Sequence, residues 1–100
     1  MDPYVVFYFG KNSVKSNVAK DQGKTPVWNQ NLKLIRSNDE SIVRFDIIDH
    51  NELLKSQIIG YGSISLFQIL RSPIKKSLNT CVLYKGNKVG SLYLEIQYVK

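Results

Sequence analysis

Phe45-Asp46-Ile47-Ile48-Asp49-His50-Asn51-Glu52-Leu53-Leu54-Lys55-Ser56-Gln57-Ile58-Ile59-Gly60 is the stretch on which the reading of this chain turns. Val43, Phe45 and Ile47 alternate with Arg44, Asp46 and Ile48, the period of a strand with one buried face. The same parity places Asp49 at the strand's end, where the chain becomes polar, and Ile59-Gly60 leads out into a further strand. Oxygen-bearing side chains recur at Asp49, Asn51 and Gln57. Two readings are open from the residues alone. Asp, Asn and Ser favour turns because they bond their own backbone. Oxygens at such spacing in a loop also converge in cation sites.

Working outward, strands account for most of the chain. Tyr4 to Phe9 is entirely β-branched or aromatic, and Gly10-Lys11-Asn12 ends it as a turn. Ser13 to Lys20 is a polar second strand. Val27 to Ile35 is a third, with Trp28, Leu32 and Leu34 on one parity, so Trp28 reads as core or rim packing. Ile42 to Ile48 is the fourth and Tyr61 to Leu66 the fifth. Phe67 to Leu70 forms one helical turn, stopped by Pro73, and Ile74 to Thr80 is a surface connection. Cys81 to Tyr84 is the sixth strand. In the seventh, Gly90 to Val99, Leu92, Leu94, Ile96 and Tyr98 alternate with Tyr93, Glu95 and Gln97. About seven strands, polar turns and no amphipathic helix predict an antiparallel β-sandwich.

With 100 residues and 43% hydrophobic content the chain is one folded domain, 1–100. A single cysteine, Cys81, excludes an internal disulfide. A single histidine, His50, excludes a His/Cys zinc site and a Ser-His or Cys-His pair. With no nucleophile–base pair and no phosphate-cradling glycine loop, no enzyme is expected. No apolar run reaches membrane-spanning length and no signal-peptide pattern opens the chain, which gives a cytoplasmic expectation. The net charge is +6. Lys11, Lys15, Lys20, Lys24, Lys33 and Arg36 stand against Asp21 alone, so five of the six net charges fall in about a quarter of the chain. Such a patch suits an anionic lipid or a nucleic acid.

Four stretches, in order, resemble the C2 domain, the calcium- and phospholipid-binding β-sandwich. Asp2-Pro3-Tyr4-Val5 is similar to the family's opening and Lys24-Thr25-Pro26-Val27-Trp28-Asn29-Gln30 to its Asn-Pro-x-Trp-Asn-Glu signature. The Asp49 loop with Ile59-Gly60 resembles its acidic loop, and Gly90-Ser91-Leu92-Tyr93-Leu94 its closing strand. The resemblance implies an antiparallel Greek-key β-sandwich of eight strands. This chain opens at the Asp-Pro-Tyr-Val point, so its expected content is one N-terminal strand short.

The resemblance also implies the site. Of the family's five acidic calcium positions, Asp2 matches the second and Asp49 the third; Asn51 stands at the fourth and Gln57 at the fifth, and the first lies before Met1. Two carboxylates and two amides predict a degraded site with weak calcium or none. Lys15 and Lys33, bordered by Lys20 and Lys24, match the strands that read phosphoinositide heads. Leu53 and Leu54, flanked by Lys55, fall at the loop tip that dips into a bilayer. His50 lies where the family uses a backbone carbonyl, and its imidazole is expected to face solvent. The expectation is a non-catalytic, peripheral, cytoplasmic membrane-targeting module that binds anionic phospholipid and needs no cofactor. Its rivals are weak calcium-dependent lipid binding and a protein-interaction domain, engaging another protein or a second copy through the edge left by the missing strand. Nucleic acid is disfavoured because no exposed aromatics interleave with the basic strands.

Overall fold

The computed structural model describes residues 2–20, 22, 25–36, 39–51, 53–71 and 74–99. Among the described residues six strands are laid down in order: β1 (Pro3–Phe9), β2 (Asn12–Lys15), β3 (Ile42–Asp49), β4 (Gln57–Ser65), β5 (Lys76–Tyr84) and β6 (Asn87–Ile96), with a short 3-10 turn at Ile69–Arg71. The ladder order is β2-β1-β3-β4-β5-β6, antiparallel throughout. Between β4 and β5 the ladder holds at one position, Tyr61 opposite Leu83, so the β5–β6 hairpin folds over the other four strands as a second layer. Both hairpin turns use the backbone the right-handed strand twist demands. Gly10 at φ 60 opens the two-residue turn between Phe9 and Asn12, and Lys85 and Gly86, both at positive φ, close β5 onto β6.

The core follows from strand parity. Val5 faces Ile47 and Phe7 faces Phe45 across β1 and β3, and the buried cluster adds Phe9, Val43, Ile64, Leu66, Ile69, Val82 and Leu92. Phe45 sits at its centre, 1% exposed. Gly62 of β4 lies flat beneath it: a Cβ there would stand 2.5 Å from the Phe45 ring and 2.8 Å from the Cys81 carbonyl oxygen. The absence of a side chain is what lets the two layers approach at this corner.

Two strand boundaries move, β4 running Gln57–Ser65 rather than Tyr61 to Leu66 and β6 Asn87–Ile96 rather than Gly90 to Val99, and three larger differences stand beside them. Val27 to Ile35 keeps the expected facing, with Trp28, Leu32 and Leu34 half-buried and their neighbours exposed, but no ladder pairs it among the described residues. Asn29 takes a left-handed φ of 45°, which Asn tolerates and which interrupts an extended run. The second strand ends at Lys15 rather than Lys20, because at Ser16 the side-chain oxygen, not the backbone carbonyl, accepts the Val5 N–H and the regular ladder stops. The Ser16 and Ala19 N–H groups still bond the Val5 and Pro3 carbonyls. Residues 76–80 are not a surface connection: they form the first half of β5, pairing from Lys76 opposite Ile96.

Candidate functional site

At one end of the molecule β1 begins beside the end of β3, with Pro3 opposite Asp49. The Asp2 N–H donates to Asp49 Oδ1 (3.0 Å), and the His50 N–H donates to the Asp2 carbonyl (2.9 Å). Asp49 in turn pairs with Gln57 at the start of β4. The structure therefore brings Asp2, Asp49, Asn51 and Gln57 to one end, as the resemblance implies. A small pocket of about 160 Å³ there is lined by Asp49, Asn51, Leu54, Lys55 and Gln57.

Two of the oxygens in this pocket are already engaged. Asn51 Oδ1 accepts the backbone N–H groups of both Leu53 and Leu54, each at 3.0 Å, so the turn reading of the loop holds at Asn51. Asp49 Oδ1 holds the Asp2 amide, and the Lys55 side chain lines the same pocket. Among the described residues no three His, Cys, Asp or Glu groups gather where they could hold a metal ion. A calcium ion wants six to eight oxygens and high negative charge. This donor set, with a lysine at its edge, does not fit a tight calcium site.

The loop tip is apolar and outward. Leu53 is 93% exposed and Leu54 74%, with Lys55 exposed beside them. The two Asn51 hydrogen bonds fix the backbone beneath the leucines while their side chains touch little protein. His50 is expected to face solvent, and the structure leaves it partly exposed rather than fully so. It is half-buried, its ring edge-on to Tyr4 at 6.3 Å, because β1 supplies an aromatic neighbour on that side.

The lysines follow β2 and the 27–35 run. Two side-chain bonds tie these segments antiparallel: Asn12 Nδ2 donates to the Ile35 carbonyl (2.7 Å), and the Asn17 N–H donates to Gln30 Oε1 (2.8 Å). Lys15 and Lys33 lie between the two ties, both exposed. Lys20, also exposed, follows Ala19, whose N–H bonds the Pro3 carbonyl at the Asp49 end. Lys24 lies outside the described residues. Lys15 sits opposite Val6, three positions along β1 from Pro3, or about 10 Å at strand rise. Asn12 and Gln30 had no local signal in the sequence, since their partners are 23 and 13 positions away. Trp28 packs against the core, and its indole N–H donates to the Pro3 carbonyl at 3.1 Å.

This geometry can be set beside known proteins, and the match that decides the family is to the C2 domain model, over residues 1–81. The chain belongs to the C2 domain family. A solved C2 domain-containing protein from a putative elicitor-responsive gene shares its fold at a TM-score of 0.82 and 22% identity, covering 99% of this chain and 73% of that one. Among curated relatives, Elicitor-responsive protein 1 of Oryza sativa subsp. japonica is 28% identical over 70% of this chain and 46% of its own length. The 16 kDa phloem protein 2 of Cucurbita maxima is 28% identical, over 76% of this chain and 58% of that protein. The 16 kDa phloem protein 1 of Arabidopsis thaliana is 29% identical, over 91% and 62%. This C2 chain thus spans about half to three-fifths of the length of the curated relatives it matches. C2 domains are in general non-catalytic binding modules for lipids or proteins. No helix among the described residues is long and apolar enough to cross a membrane.

Proposed function

We propose that this C2 domain is a non-catalytic, calcium-independent module that docks peripherally on cytoplasmic membrane surfaces rich in anionic lipid. The observation that carries the reading is the loop tip, where Asn51 pins the backbone and leaves Leu53 and Leu54 almost wholly in water. Two adjacent exposed leucines over a fixed turn suit shallow insertion into a bilayer. Lys20 at the same end, with Lys15 and Lys33 about 10 Å further along the strands, supplies cations for the headgroups. Each is worth about 1 kcal/mol near an anionic surface. The engaged Asn51 and Asp49 oxygens and the nearby Lys55 support independence from calcium.

Co-sedimentation with phosphatidylcholine vesicles, with and without a quarter phosphatidylserine, tests the proposal. Binding is expected only to the anionic vesicles, unchanged by chelator, and falling steeply with salt because exposed charges are screened over about 8 Å at physiological ionic strength. Lys15→Glu with Lys33→Glu should abolish it and leave the fold intact. Equal binding to both vesicle types, or to neither, overturns the reading.

A further inference from the structure

The end that carries Leu53 and Leu54 has a second projecting turn. β4 leaves that end from Gln57, opposite Asp49, and β5 returns toward it, with Leu83 opposite Tyr61. At about 3.3 Å per residue Leu83 lies about 13 Å back from Gln57, and the Lys85–Gly86 turn that follows recovers about 7 Å of this. The turn therefore stands about 6 Å behind the base of the leucine loop. It is well fixed. Lys85 and Gly86 hold φ of 51° and 82°, and the Gly86 N–H donates to the Tyr61 hydroxyl of β4 at 3.4 Å. The Lys85 ammonium rests 5.4 Å from the centre of the Tyr84 ring, and Lys88 stands across the hairpin from Leu83. Tyr84 and both lysines are exposed. Charge is sorted along the hairpin: Lys85 and Lys88 are the only charged residues from 77 to 94, and its one carboxylate, Glu95, lies at the far end beside Lys75 at 3.8 Å. The turn is a cationic tip with no carboxylate near it on its own two strands.

We propose that Tyr84 to Lys88 is a second membrane contact, in which Lys85 and Lys88 bind the phosphates of anionic lipids while Leu53 and Leu54 reach the acyl chains. The inference rests on the membrane reading above and adds a site to it. The headgroup layer on one face of a bilayer is about 5–8 Å thick. Cations set about 6 Å behind the base of the apolar loop lie at the depth of the phosphates once the leucines have passed them. Tyr84 suits the same depth, because aromatic rings with one polar end gather where water meets lipid. Its ring also carries the Lys85 charge. Lys20 lies on the other side of the leucine loop, next to the start of β1, which is three strands from β5 in the sheet order. Cations thus flank the apolar tip on both sides and hold the loop end square to the surface.

Partition into phosphatidylcholine vesicles with a quarter phosphatidylserine, at physiological salt, tests this. Lys85→Asn with Lys88→Gln removes both charges, and Asn tolerates the left-handed backbone at 85. Each lysine at an anionic surface is worth about fivefold in binding, so the pair should cost about 25-fold while the melting curve stays parental. Lys11→Gln with Lys75→Gln removes the same charge at the opposite end of the strands. That end is well beyond the screening length of about 8 Å, and the loss there should stay below about twofold. On the anionic vesicles amide exchange at residues 84–88 should slow, and millimolar inorganic phosphate alone should not slow it. If the parent binds and the hairpin variant binds equally, the inference is overturned and the membrane reading stands. Equal losses from the two pairs make the effect one of net charge and overturn it too, as does slowing by phosphate alone, which assigns the turn to soluble anions. Should the hairpin variant melt early, unslowed exchange at 84–88 in the vesicle-bound parent is the refuting result. A parent that binds no anionic vesicle overturns both readings.

Discussion

Replacing Leu53 and Leu54 together with serine removes the apolar tip while leaving the loop beneath it untouched. Fully burying a leucine is worth about 1.5–3 kcal/mol. These two start 93% and 74% exposed, so nearly all of that area is still in water and available to a bilayer. Shallow insertion that dries about half of each side chain gives about 1 kcal/mol apiece, about 2 kcal/mol together. That corresponds to a loss of about 30-fold in vesicle partition. Their backbone N–H groups remain bonded to Asn51 Oδ1, so the double variant should melt like the parent, within about 0.5 kcal/mol. Partition into vesicles with a quarter phosphatidylserine, measured across a salt series, separates the two contributions. The serine variant should lower binding by a constant factor at every salt concentration, whereas lysine substitutions should flatten the salt dependence itself. An unchanged partition coefficient refutes the insertion argument, and a lowered melting temperature shows that the leucines support the fold instead.

Gly62→Ala should cost about 2–3 kcal/mol by overpacking, since its Cβ falls 2.5 Å from the Phe45 ring and 2.8 Å from a backbone oxygen; a parental melting curve contradicts this. Ser16→Ala removes a buried hydroxyl that accepts the Val5 N–H and donates to the Asn17 carbonyl, each at 2.9 Å. The orphaned Val5 N–H should cost about 1–3 kcal/mol in urea unfolding. Asn51→Asp with Gln57→Asp should tighten calcium from the millimolar range by at least about tenfold by calorimetry, and micromolar binding to the unmodified chain would show that the present donors suffice. Burial holds the Tyr8 hydroxyl above its ordinary pKa of 10.0, helped by the Asp46 carboxylate that accepts its hydrogen bond. The folded chain therefore keeps a proton that the unfolded chain releases, and stability should fall as pH rises past about 10. Tyr8→Phe should lessen that fall; identical alkaline profiles count against the assignment.

How far the sequence could be read depended on how local each signal was. Alternation in β3 and β6 revealed strands and their inward faces, because burial of one face writes a period of two into the residues themselves, and β1 was legible from its unbroken run of β-branched and aromatic residues. The first half of β5 was illegible, since Ser77, Asn79 and Thr80 read as a connection and only the nine-position ladder with β6 makes them a strand. For Val27 to Ile35 the facing was legible and the pairing was not: a ladder belongs to two segments, and Asn29 gave no warning of its left-handed turn. At the candidate site, Asp2 and Asp49 could be placed together from the family pattern. Which oxygens are engaged could not, because the Asp2 amide reaches Asp49 across 47 positions. The exposure of Leu53 and Leu54 likewise emerges only once the rest of the sandwich leaves them uncovered.

The single bridge between Tyr61 and Leu83 carries a consequence for how the chain reaches its native state. β5 and β6 close around a two-residue turn whose positive-φ backbone is set by Lys85 and Gly86, an event of about 1–10 μs for a hairpin. β3 and β4 close around the short 50–56 loop, with sequence separations nearly as small. Joining β1 to β3 is different: the chain from Lys15 to Ile42 must fold back before Phe7 can meet Phe45, and that closure entropy precedes any core contact that offsets it. The transition state should therefore be organised around β1 against β3. The β5–β6 hairpin, held to its neighbour at one ladder position, forms early as a piece and docks late.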